Sequence, residues 1–157
     1  MGGTVLPLLG IGSRLTEDID FIGFDAKERS QNLELMEIAE SLEIPVEAIN
    51  QAAGFFLKKI DSWRQRLVLL HEGRSAKIFR PHLNLYLLLK IPRLSESDLD
   101  DCLHFIRYAK SIKELVDKKL ILKAIRQKRK SSDSIQLLNR LELLENELIN
   151  VSKPEAN

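Results

Sequence analysis

Trp63-Arg64-Gln65-Arg66-Leu67-Val68-Leu69-Leu70-His71-Glu72-Gly73-Arg74-Ser75-Ala76-Lys77-Ile78-Phe79 is the stretch on which the fold class turns. Apolar and β-branched residues crowd both ends, and Glu72-Gly73-Arg74 interrupts them with a turn signal. The pattern predicts a β-hairpin, with residues 67–70 as the first strand and 76–79 as the second. Most of the remaining chain has helical period. A hairpin set among helices implies an α+β fold with a small sheet.

Downstream, residues 83–91 form an apolar run that reads as a buried helix, although periodicity alone leaves a strand open. Ser95 or Ser97 caps the next helix, with Asp98, Asp100 and Asp101 in its first turn, where the helix dipole favours acids. Leu99, Leu103 (or Cys102), Ile106 and Ala109 face its core. Residues 111–150 predict two helices broken near 130–133. In the second, Ile135, Leu138, Leu141, Leu144 (or Glu145) and Leu148 approach a coiled-coil seam, which marks 133–150 as an element for a protein partner or self-association. Residues 151–157 are expected to fray.

Upstream, Leu35, Ile38, Ala39 and Leu42 repeat as one helix face. Ile44-Pro45 ends that helix, and Pro45 can open another. Val46, Ile49, Ala53, Phe56 and Ile60 predict its single apolar face. Residues 4–11 suggest one or two helical turns. Ile19, Phe21 and Ile22 alternate with Asp18 and Asp20 and predict a strand.

Composition bounds the function. The 157 residues are 44% hydrophobic and 30% charged, enough for a packed core and against wholesale disorder. A single cysteine, Cys102, excludes an intramolecular disulfide framework and a cysteine-cluster zinc site. No apolar run approaches the ~20 residues of a membrane span, and the first residues lack the basic region of a secretory signal. A soluble cytoplasmic protein is expected. The net charge of +1 hides three blocks. Residues 1–50 hold 3 basic and 10 acidic side chains, 51–130 hold 19 and 8, and 131–157 hold 2 and 5. The densest cationic run is Lys118, Lys119, Lys123, Arg126, Lys128, Arg129 and Lys130. It can attract a polyanion such as RNA, or serve only as a solvated helix face.

The chemistry gathers near the start: Gly2-Gly3-Thr4, then Arg14-Leu15-Thr16-Glu17-Asp18-Ile19-Asp20. On a strand, Asp18 and Asp20 project to one side. Two such carboxylates repel unless a cation joins them, and Mg²⁺ takes oxygen ligands of this kind. Gly2 and Gly3 let the backbone approach a phosphate, Thr4 adds a hydroxyl, and Arg14 offers a planar fork of donors. Asp-x-Asp alone arises by chance in roughly a third to a half of chains this long. The glycine pair at its distance upstream makes the combination far rarer.

The run Gly2-Gly3-Thr4…Arg14-Leu15-Thr16-Glu17-Asp18-Ile19-Asp20-Phe21 resembles the signature of the nucleotidyltransferase superfamily, the fold of DNA polymerase β, and is most similar to its bacterial AbiEii-type branch. Asn50, Trp63, Arg66, Lys90, Arg93, Asp98 and Asp101 resemble a looser downstream pattern of small members of that branch. The likeness covers roughly residues 1–110. It implies a small mixed β-sheet flanked by helices in 1–110, with 111–150 as a helical extension. It also implies Mg²⁺ at Asp18 and Asp20, the catalytic pair. A nucleoside triphosphate would lie at Gly2, Gly3, Thr4, Arg14, Thr16 and Lys90. The activity implied is transfer of a nucleotidyl group to a hydroxyl of RNA or protein, in some relatives as a toxin–antitoxin component. The alternative is a non-catalytic module of the same fold that binds nucleotide, RNA or a protein partner. The pattern also calls for a strand before the glycine pair, where Met1 stands here, and for a third acid on a later strand, for which Glu72 is the candidate.

Other residues have plainer readings. Lys90 within an apolar run either meets phosphate or pairs with Asp98 or Asp101. His71, His82 and His104 lack metal-ligand spacing and read as surface or capping residues. Cys102 reads as inert core, Trp63 as packing, and Ser13 has no visible triad partners.

Overall fold

The computed structural model describes residues 5–11, 19–20, 33, 36–37, 39–43, 45, 49–50, 52–74 and 77–150. The chain divides into two compact units, Met1–Asp61 and Ser62–Asn157.

In the first unit, helix α1 (Val5–Leu8) buries Val5 and Leu6. It closes at Gly10, whose φ of 69° is open to glycine at little steric expense. There Gly10 N–H donates to Pro7 O at 3.0 Å and Ile11 N–H to Leu6 O at 2.9 Å, which satisfies the last carbonyls of the helix. Strand β1 (Ile19–Asp20) pairs in parallel with β2 (Ile49–Asn50), Ile19 opposite Ile49 and Asp20 opposite Asn50. A parallel pair needs a crossover. Residues 33, 36–37 and 39–41 of the connection are helical, with Ala39 fully buried.

The single helix face expected from Val46 to Ile60 is corrected. Ile49 lies in β2, and α2 (Ala52–Leu57) is six residues long. Leu57 is buried, while Phe55 and Phe56 are exposed. Pairing with β1 removes Ile49 from the helical period, so the face beyond it shifts. Leu42, expected on the preceding helix's apolar face, falls in a turn and is exposed.

The second unit opens with a 3₁₀ turn at Trp63–Arg66 that buries Trp63. The hairpin follows as β3 (Leu67–Glu72) and β4 (Lys77–Pro81), antiparallel, with Leu67 opposite Pro81 and Glu72 opposite Lys77. Both strands run two residues beyond their predicted C-terminal ends. Register shifts between Leu69 and His71, so Leu70 forms a bulge. Pro81 occupies the last position of β4, where a missing N–H costs the ladder least.

Residues 83–91 are settled as helix α3 (Leu83–Lys90), which buries Leu83, Leu85, Tyr86, Leu87 and Lys90. It sits at the centre of the unit, packed on β4, α4 (Glu96–Ser111) and α5 (Lys118–Lys130). An α-helix that is apolar on nearly every side must be covered all round, and these neighbours cover it. Ser95 is the cap of α4 in a reciprocal capping box. Its Oγ accepts from Asp98 N–H at 3.2 Å, and its own N–H donates to Asp98 Oδ2 at 3.1 Å. Leu99, Cys102, Ile106 and Ala109 then form the buried face, with Cys102 the one of the two alternatives taken, and Phe105, which the sequence reading does not place there, joins them.

One helix boundary and one seam differ from the sequence reading. Residues 112–117 are a loop, because α4 continues to Ser111 and Asp117 caps α5 by accepting from Leu120 N–H at 3.0 Å. In α6 (Ile135–Asn150) the buried seam is Leu137, Leu141, Leu144 and Leu148, while Ile135 is exposed and Leu138 half-buried. A strict heptad drifts against a 3.6-residue turn, and α6 packs on both α4 and α5. The leucine seam therefore serves the core of this unit. The architecture is α+β: a two-stranded antiparallel sheet flanked by helices, with helices at the C-terminal end.

Candidate functional site

Of the residues expected to hold nucleotide and metal, Asp20 is placed on β1. Gly2, Gly3, Thr4, Arg14, Thr16 and Asp18 lie outside the described residues. The extended backbone at Ile19–Asp20 is the conformation in which side chains two apart share a face. Among the described residues no group of three or more histidine, cysteine, aspartate or glutamate side chains can hold a metal ion. Glu72, the candidate third acid, ends β3 instead of lying in the turn, and its carboxylate meets Lys77 Nζ at 2.5 Å on an exposed hairpin end.

The second unit holds a buried charge cluster built by α3 and α4. Lys90 Nζ donates to Asp98 Oδ1 at 2.7 Å and to Asp101 Oδ2 at 3.2 Å. Arg93 sends a two-pronged fork to Asp98, Nε to Oδ2 at 2.7 Å and Nη2 to Oδ1 at 2.8 Å. With Ser95 N–H added, Asp98 accepts four hydrogen bonds while being fully buried. The sequence logic is short-range. Lys90 ends α3, a three-residue turn follows, and Asp98 and Asp101 share a face of α4 at i and i+3. Two cations and two anions balance, so the cluster is a staple between helices. Of the two readings open for Lys90, this geometry is the salt bridge.

Burial works against the charge on Asp98, yet the bonds from Arg93 and Lys90, with that lysine's positive field and the Ser95 contact, overcome it. The carboxyl is held well below the usual aspartate range. A depressed folded-state pKa gives stability that is full above the unfolded value, about 3.9, and is lost as pH falls through the folded one. Thermal midpoints should therefore hold from neutrality to about pH 5 and drop increasingly below about pH 4. The gap between wild type and Asp98→Asn should narrow over the same range. A gap that stays constant down to the acid limit would show that Asp98 titrates normally.

A second staple escaped the sequence reading. Arg80 on β4 is buried and pairs with Glu114, in the loop after α4. Glu114 also accepts Leu83 N–H at 2.7 Å, filling one of the free donors that open α3. Thirty-four residues separate Arg80 from Glu114, and no periodicity links residues so far apart. His82 caps α3 through Nδ1, accepting from Asn84 N–H at 3.2 Å, and His104 bonds Asp100 O at 2.9 Å, both roles of the expected kind. Cys102 is fully buried, and burial pushes its thiol far above the ordinary range, as an inert core residue requires.

The basic run divides by face once α5 is formed. Ile121 and Ile125 are buried. Lys118, Lys128 and Arg129 are half-buried, and Arg129 Nη1 meets Glu145 Oε2 at 2.6 Å. Lys119, Lys123, Arg126 and Lys130 are exposed. Seven cations in sequence thus become four on one outward face. No helix among the described residues is long and apolar enough to cross a membrane. No family model matches the chain, and no curated protein or solved structure matches it either.

Proposed function

We propose that the chain is a nucleotidyltransferase-fold protein that binds a nucleoside triphosphate and Mg²⁺ at Gly2, Gly3, Thr4, Arg14, Thr16, Asp18 and Asp20. The observation that carries this reading is the strand at Ile19–Asp20, paired in parallel with β2. An extended backbone is what two carboxylates at i and i+2 need if they are to serve one hard cation, and carboxylate oxygens are the ligands Mg²⁺ takes. Asp18 and Asp20 would hold the Mg²⁺, which would offset phosphate charge during nucleotidyl transfer. The chain's own residues hold the phosphates: backbone N–H groups at the glycine pair, and the Arg14 fork. Lys90 is left out of this set because its ammonium is committed to Asp98 and Asp101. The acceptor is a hydroxyl of RNA, a polyanion that the cations of residues 118–130 attract, or of a protein in a toxin–antitoxin pair, and the setting is the cytoplasm.

Titration with a fluorescent nucleoside triphosphate, with and without Mg²⁺, tests the site. Wild type should bind in a metal-dependent way. Asp18→Asn/Asp20→Asn should lose roughly 10–100-fold or more, the loss typical even of groups that only support a metal's ligands. Equal affinity in the double variant removes the assignment. A second reading, a non-catalytic module of this fold, is favoured by the outward cations of α5. Metal-dependent binding without any transfer to RNA or protein acceptors selects it.

A further inference from the structure

The geometry points to α5 as a docking strip for the phosphate backbone of a nucleic-acid duplex, held by Lys119, Lys123, Arg126 and Lys130. This rests on and deepens the RNA contact named above, but it uses no residue of the nucleotide and metal site and needs neither nucleotide nor metal. The four cations are spaced 4, 3 and 4 residues apart, which keeps them within a sector of about 60° on a helix of 3.6 residues per turn. That sector lies opposite Ile121 and Ile125, which face the core. Among the described residues none of the four has an ion-pair partner, whereas Arg129 beside them is taken by Glu145.

The arrangement works against the helix that carries it. Like charges at i, i+3 and i, i+4 destabilise a helix, and the strip has three such pairs. Lys119 lies in the first turn, at the positive end of the dipole, and that turn has no acid. Only Lys130 gains from the opposite end. A strip that weakens its own helix is no structural device, and an external polyanion relieves every one of these contacts.

The strip's length and surroundings choose the polyanion. From Lys119 to Lys130 it spans about 16 Å. A duplex presents one phosphate per ~1.7 Å of axis, twice the density of one strand, so it matches a row of single-sign charge best. Residues 112–150 contain no aromatic side chain, so α5 and its neighbour α6 offer unpaired bases nothing to stack on. A bilayer needs an apolar face opposite the basic one, and that face of α5 is buried in the unit.

Fluorescence anisotropy with two-turn RNA and DNA duplexes over a KCl series, without nucleotide or Mg²⁺, tests the strip. Wild type should bind with a log–log salt slope of about −3 to −4, from roughly −0.9 per phosphate neutralised. Lys119→Gln/Lys123→Gln/Arg126→Gln/Lys130→Gln should abolish that slope while its thermal midpoint stays level or rises. Each single glutamine variant should remove about 0.9 of the slope, which keeps the test open if the quadruple variant misfolds. Binding to both duplexes or to RNA alone supports the strip, the latter adding preference for A-form shape. Unchanged slopes in the variants, tighter binding of a single strand, or equal competition by polyglutamate at matched charge would overturn it.

Discussion

Asp98→Ala should lower the unfolding free energy by about 3–5 kcal/mol, because it leaves the buried Lys90 short of a partner. The carboxylate it removes accepts four hydrogen bonds, from Lys90, Arg93 twice and Ser95. Arg93 has a mostly exposed side chain and can turn back to water, so its share of the loss is small. Lys90 cannot, since its side chain is 8% exposed and only Asp101 remains within reach. The capping box of α4 loses its return bond at the same time, Ser95 N–H to Asp98 Oδ2, while Ser95 Oγ still accepts the backbone N–H of position 98. Lys90→Met in the same background supplies the control. A thioether in place of an unpaired ammonium ends the desolvation penalty, so the double variant should be more stable than Asp98→Ala alone. Urea midpoints on the four proteins of the cycle give the coupling. Two additive losses of under 1 kcal/mol each would mean that water reaches the cluster and that it staples nothing.

Phe105→Ala should destabilise by a similar amount, about 3–5 kcal/mol, through a different mechanism. The ring is fully buried. It packs edge-on against Tyr86 with centroids 4.8 Å apart, lies 6.1 Å from Tyr108, and has the Arg80 guanidinium 5.6 Å from its centre. One truncation therefore opens a cavity between α3 and α4 and also removes the nearer of the two rings that back the Arg80–Glu114 staple, leaving Tyr108 at 6.0 Å. Phe105→Leu fills most of the volume and should cost clearly less. Equal losses for alanine and leucine would assign the effect to the ring's electrostatics with Arg80 and Tyr86, not to the cavity.

How far the residue string led can be followed element by element. The hairpin was legible because Gly73 and charged neighbours separate two apolar runs, a contrast that is local. The cap at Ser95 and its acidic first turn were legible for the same reason. The Lys90 cluster was half-legible: a lysine inside an apolar run demands a partner, and Asp98 and Asp101 were the nearest acids on a helix face. What remained open was whether that partner was a phosphate, and only packed helices decide that. The leucines of α6 show the opposite case. Their spacing advertised a seam, but spacing does not say which surface covers it, and α4 and α5 within the same unit do. Ile49 was misassigned because a two-residue strand carries no period of its own. Only pairing with Ile19 defines it.

For the candidate site, the glycine pair, Arg14 and the two aspartates were visible as residue types at set distances, since metal and phosphate chemistry demands particular atoms. The outward strip on α5 was visible only as a mass of charge. Sorting it into four free cations and three half-buried ones required knowing which side of the helix Ile121 and Ile125 occupy.

Taken alone, the order of residues determined the α+β class, the hairpin, a serine cap before the acidic first turn of α4 and the chemistry to look for near Asp18 and Asp20. These depend on neighbours in the chain, whose geometry covalent bonds already restrict. Tertiary structure alone decided the Arg80–Glu114 staple, the occupants of Lys90, the partners of α6 and the free face of α5. Each joins or sorts residues by burial, and burial depends on every element that packs around them.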